Sequence, residues 1–279
     1  MLSAARVHPP AIGAETIAAR AVACLRLEVA TYPKPGLVSP NDSGAHADMD
    51  AALLNRSAET LGPYFVALTE AGARGAGMDA LRAIGLAAES AMLDATGGVN
   101  THRGAIFGLG LLTAAAGFRA ARGSRRTLGG LVADLWGPAI AAGPVPPDSH
   151  GTLAARRFRA GGARREAVLG FPTIYDVARP ALNAAEALRP DDPEAARVQL
   201  CFALIASVED TNLLHRGGPA GLAFAQGAAR AFLVEGGIAR SDWRARARAI
   251  HAAFVARNLS PGGCADLLAM TLFVDGLDP

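Results

Sequence analysis

An all-α fold, a single compact domain of about ten helices, is predicted by three observations. Long Ala/Leu-rich segments place apolar residues at three-to-four spacing, the period of an amphipathic helix. Strict apolar/polar alternation with β-branched and aromatic enrichment is almost absent, so no sheet is expected. The Pro/Gly stretches between segments are short and mixed in composition, and none reads as an interdomain linker, so residues 1–279 are expected to form one domain. Half of the 279 residues are apolar, enough for a large core.

Taken in order, the first helix is expected at 14–31. It runs into TYPKPGLVSPNDSGAH (31–46), whose three prolines and two glycines keep most of that stretch from being helical. Periodic segments follow at 47–71 and 78–94. ATGGVNT (95–101) ends the second of these with Gly-Gly, and Asn100 or Thr101 is placed to cap the next helix, 102–120. A segment at 127–142 leads to a Pro-rich turn, GPVPPDSHG (143–151), and then to a Gly/Arg-rich connection, GGARREAVLGFP (161–172). Helices at 173–189, 193–208, 213–235, 240–257 and 261–275 complete the chain.

Several function classes are disfavoured. The formal charge is +2, with basic residues spread among acidic ones, so no nucleic-acid surface is expected. Cys24, Cys201 and Cys264 are odd in number and follow no metal-finger spacing, as expected of reduced core thiols in a cytoplasmic protein. MLSAARVHPP does not read as an export signal. GAIFGLGLLTAAAGF (104–118) falls short of the roughly 20 apolar residues that span a bilayer and is flanked by Arg103 and Arg119, so it reads as a buried helix and no membrane partner is expected. There is no GxxxxGK[ST], no GxGxxG after a strand, no HExxH and no GxSxG. A nucleotide, if bound, is bound without a Walker loop or a Rossmann sheet.

What remains is a frame that occurs twice. GVNTHRGAIFGL (98–109) and DTNLLHRGGPAGL (210–222) share H-R-G-x-x-x-G-L, with Asn100 two residues before His102 and Asn212 three before His215. Each copy is expected to open a helix, where unpaired N–H groups and the positive end of the dipole favour an anion. Arg103 and Arg216 add a planar fork that suits phosphate, and the glycine after each lets a ligand approach closely. Among 27 basic residues Lys34 is the single lysine, a candidate for a place where a compact charge is needed and a guanidinium will not serve. Glu209 and Asp210 precede Asn212, while HADMD places His46, Asp48 and Asp50 just after the Pro/Gly loop; were 46–50 helical, His46 and Asp50 would share a face. Carboxylates beside phosphate binders suggest Mg2+, which takes one or two carboxylates and completes its shell with substrate phosphates. Asp at a helix start is also an ordinary cap.

Five ordered blocks, PKPGLVSPNDSGAHADMD, GGVNTHRGAIFGLGLL, SHG with GGARREAVLGFP, VEDTNLLHRGG and NLSPGGCADLLA, resemble the triphosphoribosyl-dephospho-CoA synthase family from about residue 20 to residue 270. GVNTHRGAIFGLGLL looks closer to the malonate decarboxylase branch than to the citrate lyase branch. The resemblance implies a transferase that joins ATP to 3′-dephospho-CoA with loss of adenine. The product is then passed to a separate transferase that loads an acyl-carrier subunit. It also implies roles: Lys34, Arg103 and Arg216 on phosphates; His102 and His215 on phosphate, or one of them protonating adenine; Glu209, Asp210 and Asp48 on magnesium, or one of them as base; and Asn41, Asn100 and Asn212 on ribose or triphosphate oxygens. His46 belongs to the same substrate-binding set. VSPND, where a charged residue is expected after Leu-Val, and Cys264, in place of a small hydroxyl residue, depart from the family pattern. A magnesium-dependent hydrolase and a non-catalytic binding module are the competing readings, and apolar helices such as 240–257 suit either a homodimer face or the core.

Overall fold

The computed structural model describes residues 13–144, 157–158 and 160–278. The expected turn at 143–151 and the first residues of the chain lie mostly outside them. Among the described residues the secondary structure is helical, without strands. The order is α1 (Ala14–Ala30), α2 (Ala51–Thr60), α3 (Gly62–Ala73), α4 (Met78–Ala95), α5 (Arg103–Arg122), α6 (Leu128–Ala142), α7 (Gly162–Val168), α8 (Arg179–Leu188), α9 (Pro193–Ser207), α10 (Thr211–Val234), α11 (Trp243–Val255) and α12 (Gly262–Asp275). A π-helical turn, Thr173–Ala178, leads into α8.

Helix α5 is the axis of the first half. It is buried along most of its length and is surrounded by α1, α3, α4, α6, α7 and α12. Its length and apolarity would suit a membrane span, but its burial among other helices is that of a core helix. Small residues set how closely α3 approaches it: a Cβ on Gly72 would come within 1.9 Å of the Ala114 carbonyl oxygen, and one on Gly117 within 2.0 Å of that of Thr69. Helix α12 is the strut between the halves, packing on α1 and α5 on one side and on α9 and α10 on the other. Just beyond its end, the Asp278 carboxylate accepts from Arg119, from the Leu128 N–H at 3.0 Å and from the Tyr175 hydroxyl at 2.7 Å. One continuous core of buried side chains runs from Ile17 to Val274.

Four local expectations change. The periodic segment 47–71 is two helices, with Leu61 between them and Pro63 in the first turn of α3, where its missing N–H does no harm. Residues 46–50 are not helical, so His46 and Asp50 share no helix face. Asp50 instead caps α2, its side chain accepting the Leu53 N–H at 2.8 Å. The Gly/Arg-rich connection contains α7. Lastly, the second His-Arg-Gly does not open its helix. Asp210 caps α10, which starts at Thr211, and the helical path breaks at Gly218 (φ 58°, ψ −163°) before Pro219. Proline disfavours helical geometry in the residue before it, and glycine tolerates the positive φ found there.

The glycine contacts yield a prediction whose sign opposes helix propensity. Gly117→Ala is expected to lower stability by about 1–3 kcal/mol through overpacking, whereas the same change at an exposed helical position stabilises by up to about 1 kcal/mol. Thermal unfolding followed by circular dichroism measures it; an unchanged or raised Tm would show that α3 and α5 do not meet in this way.

Candidate active site

The polar centre is built where the starts of α5, α10 and α12 come together above the end of α1. Glu28, in the last turns of α1, is buried, and Lys34 in the loop that follows is fully enclosed. The Lys34 ammonium donates to the Glu28 backbone oxygen and pairs with its carboxylate. Two ions removed from water must compensate each other. An enclosed site of this kind suits a compact ammonium better than a planar fork, a physical reason for the chain's one lysine.

Beside this pair, His102 forms the N-cap of α5 and is buried. Thr101 donates its hydroxyl to Ser57 Oγ at 2.7 Å, and Ser57 Oγ lies 2.7 Å from His102 Nδ1. Ser57 is thereby left to donate to Nδ1, which fixes the proton of neutral His102 on Nε2. Burial, and then the positive charge of Lys34, pull the His102 pKa down to about 4. Asn100 Oδ1 accepts the Arg103 N–H at 3.2 Å. The Arg103 guanidinium pairs with Glu89 of α4, and its buried Nε has no partner among the described residues.

Asp210 ties α10 to α12. One carboxylate oxygen accepts from Asn212 N at 2.7 Å and Leu213 N at 3.2 Å, and the other accepts Cys264 N at 2.8 Å. The Cys264 thiol donates to the same carboxylate, so cysteine serves there as a small hydroxyl residue would. Burial pushes the Asp210 pKa up, opposed by these donors. The approach is close: a Cβ on Gly262 would come within 2.8 Å of Asn212 Nδ2, and one on Gly263 within 3.0 Å of Asp210 Oδ2.

The second His-Arg-Gly reaches back to the loop after α1. Arg216 donates to the Ala45 carbonyl at 2.8 Å, to Asn258 Oδ1 at 2.8 Å and to His46 Nδ1 at 3.2 Å. Since a guanidinium can only donate, Nδ1 is the acceptor, and His46 Nε2–H donates to Ser260 Oγ at 2.8 Å. Burial and then Arg216 hold the His46 pKa below its ordinary value. Asp48 Oδ1 lies 3.6 Å from His46 Nδ1 and is largely exposed. Asn41, Glu209 and His215 are exposed as well. Asp48, Glu209 and Asp210 are not gathered into one set, and among the described residues no three His, Cys, Asp or Glu side chains are placed to hold a metal ion.

The structure adds groups that the motif reading did not single out. Asp266, in the first turns of α12, stands against the start of α5: it accepts the Ala105 N–H, and a Cβ on Gly104 would come within 2.0 Å of its Oδ2. The glycine of the first His-Arg-Gly is thus the space this carboxylate occupies. Burial, followed by the negative charges of Glu28 and Asp210, drives the Asp266 pKa well above the ordinary carboxylate range. Glu28, Ser57, Ser260 and His251 were likewise not foreseen; His251 Nδ1 meets the Lys34 carbonyl at 2.7 Å and Nε2 meets Asp42 at 3.0 Å. The one sequence signal for Asp266 is a carboxylate followed by the apolar run LLAM. A groove of about 620 Å³ lined by Ala23, Leu27, Pro40 and Asn55 among others does not include this polar centre.

The model of the family described as ATP:dephospho-CoA triphosphoribosyl transferase matches residues 14–279, nearly the whole chain. The chain belongs to this family. It is similar to a probable 2-(5''-triphosphoribosyl)-3'-dephosphocoenzyme-A synthase of Stutzerimonas stutzeri (strain A1501), with 42% identity over 99% of this chain and 95% of the relative. A Klebsiella pneumoniae protein named 2-(5''-triphosphoribosyl)-3'-dephosphocoenzyme-A synthase is 42% identical over 93% of each chain. No solved structure matches the chain. Against this transferase family, the polar centre is the candidate active site.

Neutral burial of His102 predicts an acid-sensitive fold. Its pKa is lower in the folded chain than in the unfolded one, so its stabilising contribution is complete above about pH 6.5 and is lost as pH falls towards 4. The expected loss is about 3 kcal/mol across that window. Urea unfolding from pH 7 to pH 4 measures it, and His102→Asn is expected to flatten the dependence. An equally steep dependence in the variant would remove His102 as its source.

Proposed function

We propose that this chain transfers the triphosphoribosyl group of ATP to the 2′-hydroxyl of 3′-dephospho-CoA and releases adenine. The observation that carries the reading is the meeting of three helix starts around one polar centre, with Arg103 and Arg216 at its edges. Helix starts and guanidinium forks favour phosphate oxygens, and the Arg103 Nε, without a partner among the described residues, is a donor ready for one. Lys34 lies beneath, its charge compensated by Glu28, and Asn41, Asn100, Asn212, His46 and His215 provide polar groups for ribose and phosphate. Holding two phosphorylated substrates in line removes much of the entropic barrier to a bimolecular step. Neutral His102 cannot serve as a cationic phosphate clamp at neutral pH, which leaves it to donate through Nε2.

Magnesium fits here as an ion carried by the triphosphate. Asp210 is occupied by N–H donors, so the exposed carboxylate of Asp48 or that of Glu209 is left to complete the ion's shell. When bound, the ion would neutralise phosphate charge. The chain's own residues bind and orient the nucleotide.

The product, 2′-(5″-triphosphoribosyl)-3′-dephospho-CoA, serves in this reading as prosthetic-group precursor for an acyl-carrier subunit, loaded by a separate transferase. GVNTHRGAIFGLGLL favours malonate decarboxylase over citrate lyase as the destination. The buried free thiols Cys24, Cys201 and Cys264 fit a reducing, cytoplasmic setting.

Mixing the protein with ATP, magnesium and 3′-dephospho-CoA, followed by chromatography with mass detection, is expected to yield adenine and the triphosphoribosyl adduct. ADP or phosphate without adenine would overturn the reading, and adenine released equally well without acceptor would make the protein a hydrolase. Arg216→Ala is expected to raise the KM for one substrate at least tenfold, about 1.4 kcal/mol; steady-state kinetics with both KM values unchanged would take Arg216 out of the site.

A further inference from the structure

We propose that Asp266 is the general acid of this reaction, carrying the proton to the departing adenine. The proposal rests on the transferase reading and deepens it by assigning the step that breaks the N-glycosidic bond. Three geometric observations carry it. Asp266, in the first turns of α12, stands against the first turn of α5, where it accepts the Ala105 N–H, and lies close enough to Glu28 and Asp210 to sense their charge. The motif glycine at 104 is incompatible with any side chain while Asp266 stands where it does, which links this carboxylate to the His-Arg-Gly frame. As a residue Asp266 is half-buried, whereas Asp210 is 1% exposed.

The neighbours determine which protonation form is present. Glu28 from α1 and Asp210 from α10 face Asp266 with negative charge, and Cys264 lies on its own helix. Lys34 is engaged with Glu28, and His102 is neutral. A carboxyl among carboxylates and removed from water keeps its proton, and a general acid must hold a proton when its substrate arrives.

The step balances as follows. The bond between ribose C1 and adenine breaks with its electron pair going to the purine, and a ring nitrogen takes the Asp266 proton. The 2′-oxygen of dephospho-CoA bonds to C1 and releases its proton to water. Asp266 is reprotonated from solvent once the products leave, so the net movement is one proton from hydroxyl to adenine.

The test compares ATP with nicotinamide riboside 5′-triphosphate, whose pyridinium base departs neutral without needing a proton. Asp266→Asn is expected to lose about 10²–10⁴-fold in kcat with ATP and less than fivefold with the pyridinium substrate, with the Kd for ATP unchanged by calorimetry. An equal loss with both substrates, or ATP turnover within tenfold of wild type, would overturn the assignment. Where wild type does not turn over the pyridinium substrate, the pH profile of kcat with ATP decides. Wild-type activity should fall as pH rises and Asp266 loses its proton, and a fall of the same shape in Asp266→Asn would overturn the proposal. Circular dichroism and the Asp266→Glu variant separate a folding defect, because Glu should keep partial activity and the same alkaline fall. Absence of adenine release by wild type would instead count against the transferase reading itself.

Discussion

Charge buried beneath the helix starts has to be compensated where it stands, and the local architecture follows from that constraint. Asp210 is 1% exposed, yet its donors come from α10 and α12 at once. A carboxylate held in this way fixes the relative position of two helices, because each would lose its N-terminal partner if the other moved. Lys34 and Glu28 do the same for the loop after α1. Since α12 also packs on α5, the starts of all three helices are positioned together.

Periodicity made the helices legible, and its failures have local causes. Helix α5 was expected at 102–120 and occupies Arg103–Arg122, because twelve buried residues write a pattern that no competing structure could share. The segment 47–71 read as continuous because apolar spacing carries across Leu61, and spacing is blind to a break that leaves phase nearly unchanged. Helix α7 was hidden by a Gly-Gly start and an Arg-Arg pair that breaks the apolar pattern. The π-helical turn around Tyr175 is invisible to a 3.6-residue template, as one widened turn shifts phase without interrupting the apolar pattern.

The candidate site was legible residue by residue and not as an arrangement. Arg216 and His46 were each singled out by type and motif, but the hydrogen bond joining them across 170 positions is a tertiary fact. Uniqueness marked Lys34, whereas composition could not report that it is enclosed and paired with Glu28. The two His-Arg-Gly copies are alike in sequence and differ in placement, since Pro219 breaks the helix after the second and no proline follows the first. Asp266 escaped notice for the opposite reason: a single carboxylate next to an apolar run carries no motif of its own, and its meaning comes from Glu28, Asp210 and Gly104, which are distant in sequence.

In the reaction proposed above, the same electrostatics would couple the acid to the substrate. A triphosphate brought against the starts of α5, α10 and α12 adds negative charge to a region that already holds Glu28 and Asp210. Negative charge near a carboxyl favours its protonated form. By reciprocity, a protonated Asp266 removes one repulsion from the approaching phosphates and strengthens their binding by the same factor. Nucleotide binding and retention of the proton therefore support each other, so the acid is charged for its task when the glycosidic bond is in place. Once adenine leaves with that proton, the new carboxylate repels the triphosphate attached to the product. One residue in this position thus serves bond cleavage and then weakens the hold on what the cleavage produced.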